Sequence, residues 1–301
     1  MDNFIEVNDV VKQYDGHMAL NHVSVNVPQG CIYGLLGPNG AGKTSLIRII
    51  NLITRPDSGT VTLNGHPITE DDVANIGYLP EERGLYKKMK VGEQIVYLAR
   101  LKGMSKADAV REMLAWLERF DLMEWRDKKL EALSKGMQQK VQFIATVLHR
   151  PQLLIFDEPF SGFDPVNADQ LKMEILRLNS EGATILFSTH NMESVEAVCE
   201  RISLINHSQV VLEGRVDEIR QTHKKNIIAV DLPQGQTLEP CERLYVQLPP
   251  AIDSRETMIR LVPGVTVREA IAWLNDHYTL GGFHEVLPSM HEIFVETVKG
   301  N

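Results

Sequence analysis

The stretch Gly37-Pro38-Asn39-Gly40-Ala41-Gly42-Lys43-Thr44 constrains this chain more than any other. It follows a β-like apolar run, Ile32-Tyr33-Gly34-Leu35-Leu36, and opens a helical one, Ser45-Leu46-Ile47-Arg48-Ile49-Ile50. Strand, glycine loop and helix in that order are the context a phosphate-binding loop requires. Glycines let backbone N–H groups converge on phosphate oxygens with no Cβ in the way. The helix N-terminus adds a partial positive charge aimed at the same anion. Lys43 is placed to neutralise β- and γ-phosphates, and the Thr44 hydroxyl to hold Mg²⁺.

A chain of 301 residues has room for two domains. Its net charge of -9 argues against a nucleic-acid binder that relies on a basic face. Cys31, Cys199 and Cys241 are far apart and lack metal-ligand spacing, which suits a reducing compartment better than a disulfide framework. The opening Met1-Asp2-Asn3-Phe4 is acidic and leads straight into a strand-like run, so no secretion signal is expected. No segment approaches the roughly 18–20 apolar residues of a membrane span. The expectation is a cytoplasmic chain.

Residues 4–36 read as short strands broken by turns, with Val23, Val25 and Val27 alternating with polar residues. Tyr14-Asp15-Gly16 places an aromatic at a turn upstream of the glycine loop, where it could stack on a purine or simply end a strand. Asn64-Gly65 predicts a hairpin, and Ile76-Gly77-Tyr78-Leu79 predicts a strand ending at Pro80 in the charged loop Glu81-Glu82-Arg83-Gly84. Residues 87–150 read as a helical insertion. Ser105 and Ser134 are placed as N-caps within it, and Met137, Val141, Ile144 and Leu148 form one apolar face.

Leu153-Leu154-Ile155-Phe156 is too short for a helix and suits a strand buried on both faces. It ends in Asp157-Glu158, carboxylates at the strand edge where α/β sheets bind ligands. Asp157 is the natural Mg²⁺ partner of the glycine loop, and Glu158 can face an attacking water. A helix is expected over 166–179. The next buried strand, 183–187, leads to Ser188-Thr189-His190 and brings His190 to the same edge.

Tyr14, the glycine loop, Tyr78-Leu79-Pro80-Glu81, Leu133-Ser134-Lys135-Gly136-Met137-Gln138, Leu153 to Glu158, Ser161-Gly162-Phe163-Asp164 and His190 form an ordered series. That series resembles the ATP-binding subunit of ATP-binding-cassette (ABC) transporters over roughly the first 215 residues. The resemblance implies a P-loop NTPase core of α/β class with an antiparallel β subdomain and a helical insertion, together forming an ATP-binding domain over 1–220. It also implies a homodimer, or a pairing with another ABC subunit, that sandwiches ATP. Tyr14 would stack on adenine, and residues 37–45, Ser45 included, would hold the phosphates. Thr44, Glu81 and Asp157 would hold Mg²⁺. Ser134 and Gly136 would contact the γ-phosphate bound by the partner, with Asp164 at the interface. Glu158 would orient water, His190 would sense the γ-phosphate, and Lys43 would stabilise its charge.

Two positions depart from the family pattern. Glu81 stands where glutamine is usual, which keeps an acceptor oxygen but loses the amide donor. Lys135 stands where glycine is usual, and a cation there is electrostatically favourable near a phosphate. Both departures bear on rate more than on function.

The whole loop 78–86 resembles a bacterial exporter subgroup that includes sodium-extrusion ATPases, so the implied cargo is sodium or another small substrate. The tail fits that subgroup. Strands are expected at 227–232, 243–248, 258–262 and 283–287, with helices capped by Thr266 and Ser289, forming a small α+β C-terminal domain over 221–301. Such a subunit needs a separate membrane permease and sits peripherally on the inner face of the membrane. A permease helix would dock in the groove beside the Glu81 loop, with Leu85, Tyr86, Met89 and Val91 as candidate contacts. The alternative is an ABC ATPase acting on a ribosome or DNA. Such proteins usually carry two cassettes or a long coiled-coil insertion, and neither pattern is found in this sequence.

Overall fold

The computed structural model describes residues 2–82, 84–161, 163–233, 236–249 and 256–300. Two compact units are present, Met1–Val216 and Asp217–Asn301.

The first unit opens with strands β1 (Asn3–Tyr14) and β2 (His17–Pro28), paired antiparallel around the Asp15-Gly16 turn. Each is 12 residues long, which corrects the expectation of short strands. Asp9 and His22 both adopt φ 54, and the pairing register shifts beside each. Such bulges interrupt the period of two, so a long strand reads as fragments. Strand β3 (Ile32–Leu36) then feeds the glycine loop and helix α1 (Lys43–Ile50). Strands β4 (Ser58–Leu63) and β5 (His66–Pro67) form the hairpin expected at Asn64-Gly65, where both residues have positive φ. A short helix α2 (Glu70–Ala74) precedes strand β6 (Ile76–Leu79).

The helical insertion contains α3 (Val91–Leu101), α4 (Lys106–Arg119) and α5 (Lys135–Val147). The Ser105 side chain accepts from the Asp108 N–H and the Ser134 side chain from the Met137 N–H, so both serines cap as expected. The rest of the unit is β7 (Leu153–Asp157), α6 (Pro165–Ser180), β8 (Thr184–Thr189), α7 (Met192–Val198), β9 (Arg201–Asn206) and β10 (Gln209–Arg215).

Two sheets organise this unit. One is antiparallel, in the order β2-β1-β4-β5; the other has the order β10-β9-β3-β8-β7-β6 and is parallel except at β10. The principal apolar core draws on both sheets and on Leu46, Ile47, Ile49 and Ile50 of α1. Aromatic packing ties the insertion to the second sheet. Trp116 and Phe120 of the α4 region pack on Phe143 of α5, and Phe143 lies 5.6 Å from Phe156 of β7. Parallel pairing carries the ends of β3, β7 and β8 to one edge, with Leu36 opposite Thr189 and Asp157 opposite Ser188. That edge is where parallel α/β sheets place ligands.

Helix α8 (Val216–Thr222) spans the division between the units. In the second unit, β11 (Ile227–Asp231), β12 (Tyr245–Gln247), β13 (Thr257–Leu261) and β14 (Gly282–Val286) form an antiparallel sheet in the order β12-β13-β11-β14. Helix α9 (Val267–His277) starts with a capping box between Thr266 and Glu269, and α10 (Met290–Gly300) starts with Ser289 accepting from the Glu292 N–H. Ala270 and Leu274 of α9 join Ile228, Val230, Tyr245 and Ile259 of the sheet in a core of their own. Among the described residues, no helix is long and apolar enough to cross a membrane.

Candidate functional site

The glycine loop is held open by backbone that only glycine can supply. At Gly37 (φ 149) a Cβ would lie 2.2 Å from the Ile205 carbonyl oxygen, and at Gly42 (φ 114) 2.3 Å from that of Ala19. Buried Lys43, the first residue of α1, folds back so that Nζ donates to the carbonyls of Gly37 at 2.7 Å and Pro38 at 3.1 Å. Burial holds its pKa below the ordinary lysine range, against the opposing pull of the Glu158, Asp157 and Glu81 carboxylates. A cation held by two neutral carbonyls suits an incoming polyphosphate, whereas the carboxylates in the same lining need a metal cation between them and that anion.

That cleft has a volume of about 300 Å³. Asn39, Gly40, Gly42, Lys43, Thr44 and Ser45 line one side, and Glu81, Asp157 and Glu158 another. Tyr14 and His17, paired across the β1–β2 turn, line it as well. Gly37, Pro38 and Ala41 shape the loop from behind, through the two carbonyls that Lys43 engages and through the buried Ala41 methyl group. His17 was not picked out in the sequence; as the hairpin partner of Tyr14 it could have been.

Asp157 is buried, and both of its oxygens are engaged. Oδ2 accepts from the Thr44 hydroxyl at 3.1 Å and Oδ1 from the Ser188 hydroxyl. The Thr44 hydroxyl and the Asp157 and Glu81 carboxylates are hard oxygen donors facing one cleft, which fits Mg²⁺. Among the described residues no group of His, Cys, Asp and Glu forms a metal cage by itself.

Glu158 follows directly but turns differently, at φ 50, with its N–H donating to the Ser188 carbonyl at 3.0 Å. Consecutive strand residues normally face opposite ways; this left-handed residue lets both carboxylates line the cleft. Glu158 Oε1 lies 2.7 Å from His190 Nδ1, and Oε2 accepts from the Thr189 hydroxyl at 3.2 Å. His190 therefore reaches the site through Glu158 and is not among the lining residues.

The Glu81 loop is tied to α5 by Gln142, whose Nε2 donates to the carbonyls of Pro80 and Glu82, each at 3.3 Å. Gln142 is buried on the face of α5 opposite the expected apolar stripe, as are Gln139 and Thr146. Polar residues recurring at helical spacing along that face were the overlooked signal. Beside the same loop lies a groove of about 300 Å³, walled by Leu85, Leu98, Leu101, Ala145 and His149. Of the candidate docking residues there, Leu85 lines the groove and Tyr86 is 58% exposed. Val91 is fully buried as the first residue of α3 and is withdrawn from that list.

Ser134, Gly136 and Asp164 do not line the cleft of their own chain. Ser134 and Gly136 sit at the N-terminus of α5, and Ser134 and Lys135 are exposed. A Cβ on Gly136 would meet nothing within 4 Å. Asp164 is exposed and caps α6 by accepting from the Asn167 N–H at 3.1 Å. Arg83 and Gly162 of the recognised loops lie outside the described residues.

The family model described as "ABC transporter" matches residues 20–161. The chain is 40% identical over 294 residues to the uncharacterized ABC transporter ATP-binding protein YhaQ of Bacillus subtilis, covering 98% of both chains. It is 33% identical over 244 residues to the daunorubicin/doxorubicin resistance ATP-binding protein DrrA of Streptomyces peucetius, covering 80% of this chain and 74% of DrrA. A solved ATP-binding subunit of an ABC transporter superposes with a TM-score of 0.68 at 31% identity, over 73% of this chain and 92% of that one. Phosphate cradle, acidic strand end and helical insertion thus share one family, and the chain belongs to the ABC transporter ATP-binding proteins, a family of ATPases.

Proposed function

We propose that this chain energises a membrane exporter by closing on ATP against a second copy of itself or a paired ABC subunit, and reopening after hydrolysis. The observation that carries the reading is the split of the expected site within one chain. Asn39, Gly40 and Gly42 to Ser45 of the loop line the cleft together with Asp157 and Glu158, while Ser134, Gly136 and Asp164 lie outside it. A second cassette placed head to tail would bring its Ser134 and Gly136, at a helix N-terminus, onto the γ-phosphate held here.

Tyr14 stacks on adenine, and residues 37–45 cradle the phosphates, with Lys43 drawing in the γ-phosphate charge. Thr44, Asp157 and Glu81 would hold Mg²⁺, which would supply charge neutralisation for the phosphates. Glu158 orients the attacking water, and His190 reports the γ-phosphate. Asp164 contacts the opposing subunit. Phosphoryl transfer of this kind depends on positioning and electrostatic stabilisation. Completing the site only in the closed dimer couples hydrolysis to motion.

The partner is an integral-membrane permease, which holds the chain against the inner membrane face. Its helix docks in the groove beside the Glu81 loop, where Gln142 joins groove and cleft by gripping both sides of Glu81. Export is supported by the drug-resistance name of the Streptomyces relative and by the loop at 78–86. The C-terminal unit is proposed to regulate or stabilise the dimer. The test is transport into vesicles containing this chain and its permease, with sodium, lipids and drugs as cargoes. ATP-dependent accumulation of one class is expected. Hydrolysis unaffected by the permease, with no cargo moved, would overturn the exporter reading.

A further inference from the structure

We infer that Thr189 is a positioning residue for hydrolysis. It anchors one oxygen of Glu158 so that the other is free to orient water once His190 has turned away. This rests on the reading of Glu158 as the water-orienting group.

The two carboxylate oxygens have different partners. Oε1 meets His190 Nδ1 at 2.7 Å, and that histidine's side chain is 59% exposed. Oε2 meets the hydroxyl of Thr189, which is 2% exposed and closes the end of β8 in register with Leu36 of β3. The Thr189 oxygen also accepts the Asn191 N–H at 3.0 Å, and Asn191 in turn caps α7 through Ser194 N–H. A threonine hydroxyl has one proton to donate, and with its oxygen already accepting from backbone that proton goes to Glu158. Thr189 therefore belongs to the rigid framework of sheet and cap, whereas His190 belongs to the exposed rim.

The consequence is a division of labour. When His190 leaves Oε1 for a phosphate, Glu158 remains fixed by Oε2, and Oε1 keeps a defined direction. Without the Thr189 hydroxyl, Glu158 would be held only by its backbone, which itself adopts φ 50. Misplacement of a catalytic group by about 1 Å is worth on the order of 100-fold in rate.

The test uses the full chain with Mg-ATP, comparing Thr189→Val, Thr189→Ala and Thr189→Ser. Valine removes the hydroxyl while keeping the volume, alanine removes it without crowding, and serine keeps it. The hydroxyl-free variants should lose about 10- to 100-fold in kcat. Their affinity for a fluorescent ATP analogue should stay within about threefold, and serine should restore most of the rate. Three results would overturn the proposal: wild-type kcat in the valine and alanine variants, a serine variant as slow as alanine, or equal loss of kcat and nucleotide affinity. Glu158→Gln serves as the control. If it hydrolyses ATP at the wild-type rate, the reading of Glu158 itself has failed. If it is inactive while Thr189→Ala is fully active, the failure belongs to Thr189 alone.

Discussion

Glu158 adopts a left-handed backbone that costs a non-glycine residue about 1–3 kcal/mol, and it persists because the Ser188 carbonyl, His190 and Thr189 over-determine it. Asp157 was legible in the sequence as the acid ending an apolar strand, and Glu158 as the residue after it. Their anchors, Ser188 and Thr189, were not, because nothing local distinguishes a serine or threonine in a strand until its neighbours are known. Tyr14 is the converse case: the sequence left it between purine stacking and a strand end, and the fold makes it a cleft-lining residue. Lys12 Nζ lies 5.3 Å from its ring centroid, so one ring face already carries a cation. Base stacking on an aromatic is worth about 1–3 kcal/mol. Tyr14→Ala should therefore weaken ATP binding by roughly 5- to 150-fold while leaving inorganic tripolyphosphate binding unchanged. Calorimetry with both ligands checks this, and equal loss of the two would move Tyr14 out of the base site.

Among the elements, α5 joins the proposed interface, the Glu81 loop and the docking groove. Its cap was readable from Leu133-Ser134 and its apolar stripe from the period, but the buried Gln142 tie depends on tertiary placement. Strands β1 and β2 were misread for a different reason, since the positive-φ residues Asp9 and His22 hide the alternation. Two outcomes test α5. Ser134→Arg should keep nucleotide affinity of the monomer within about threefold yet abolish ATP-driven dimerisation, because an exposed capping serine contributes only about 1 kcal/mol to the helix. Calorimetry and sizing together decide it, and parallel loss of both properties would contradict the trans role.

The second outcome concerns His149, just beyond the end of α5, where burial first and the Lys102 ammonium second push its pKa down to about 4 from 6.5. Between those values the unfolded chain binds a proton that the folded chain does not, so stability falls as pH drops from 6.5 to 4 and then levels. The loss amounts to at most about 3 kcal/mol. His149→Leu should flatten the decline of the thermal midpoint over that interval. An acid dependence identical to that of the wild-type chain would show that His149 is not the group responsible.

On the scale of the molecule, the parallel sheet explains why residues as distant as Thr44, Asp157 and His190 can serve one reaction. Thr44 sits in the helix after the loop that leaves β3, Asp157 closes β7, and His190 directly follows β8. That convergence was readable because three apolar runs each end in polar chemistry. The second unit was legible as strands and capped helices but not as an activity, since its conspicuous residues build a core. The central claim is that one chain holds only half of the working site. Glu158→Gln, incubated with Mg-ATP and examined by analytical ultracentrifugation alongside a hydrolysis assay, tests it most directly. The account predicts a stable dimer with ATP retained and hydrolysis reduced by about 100-fold or more. A monomer that turns over ATP at the wild-type rate would contradict it.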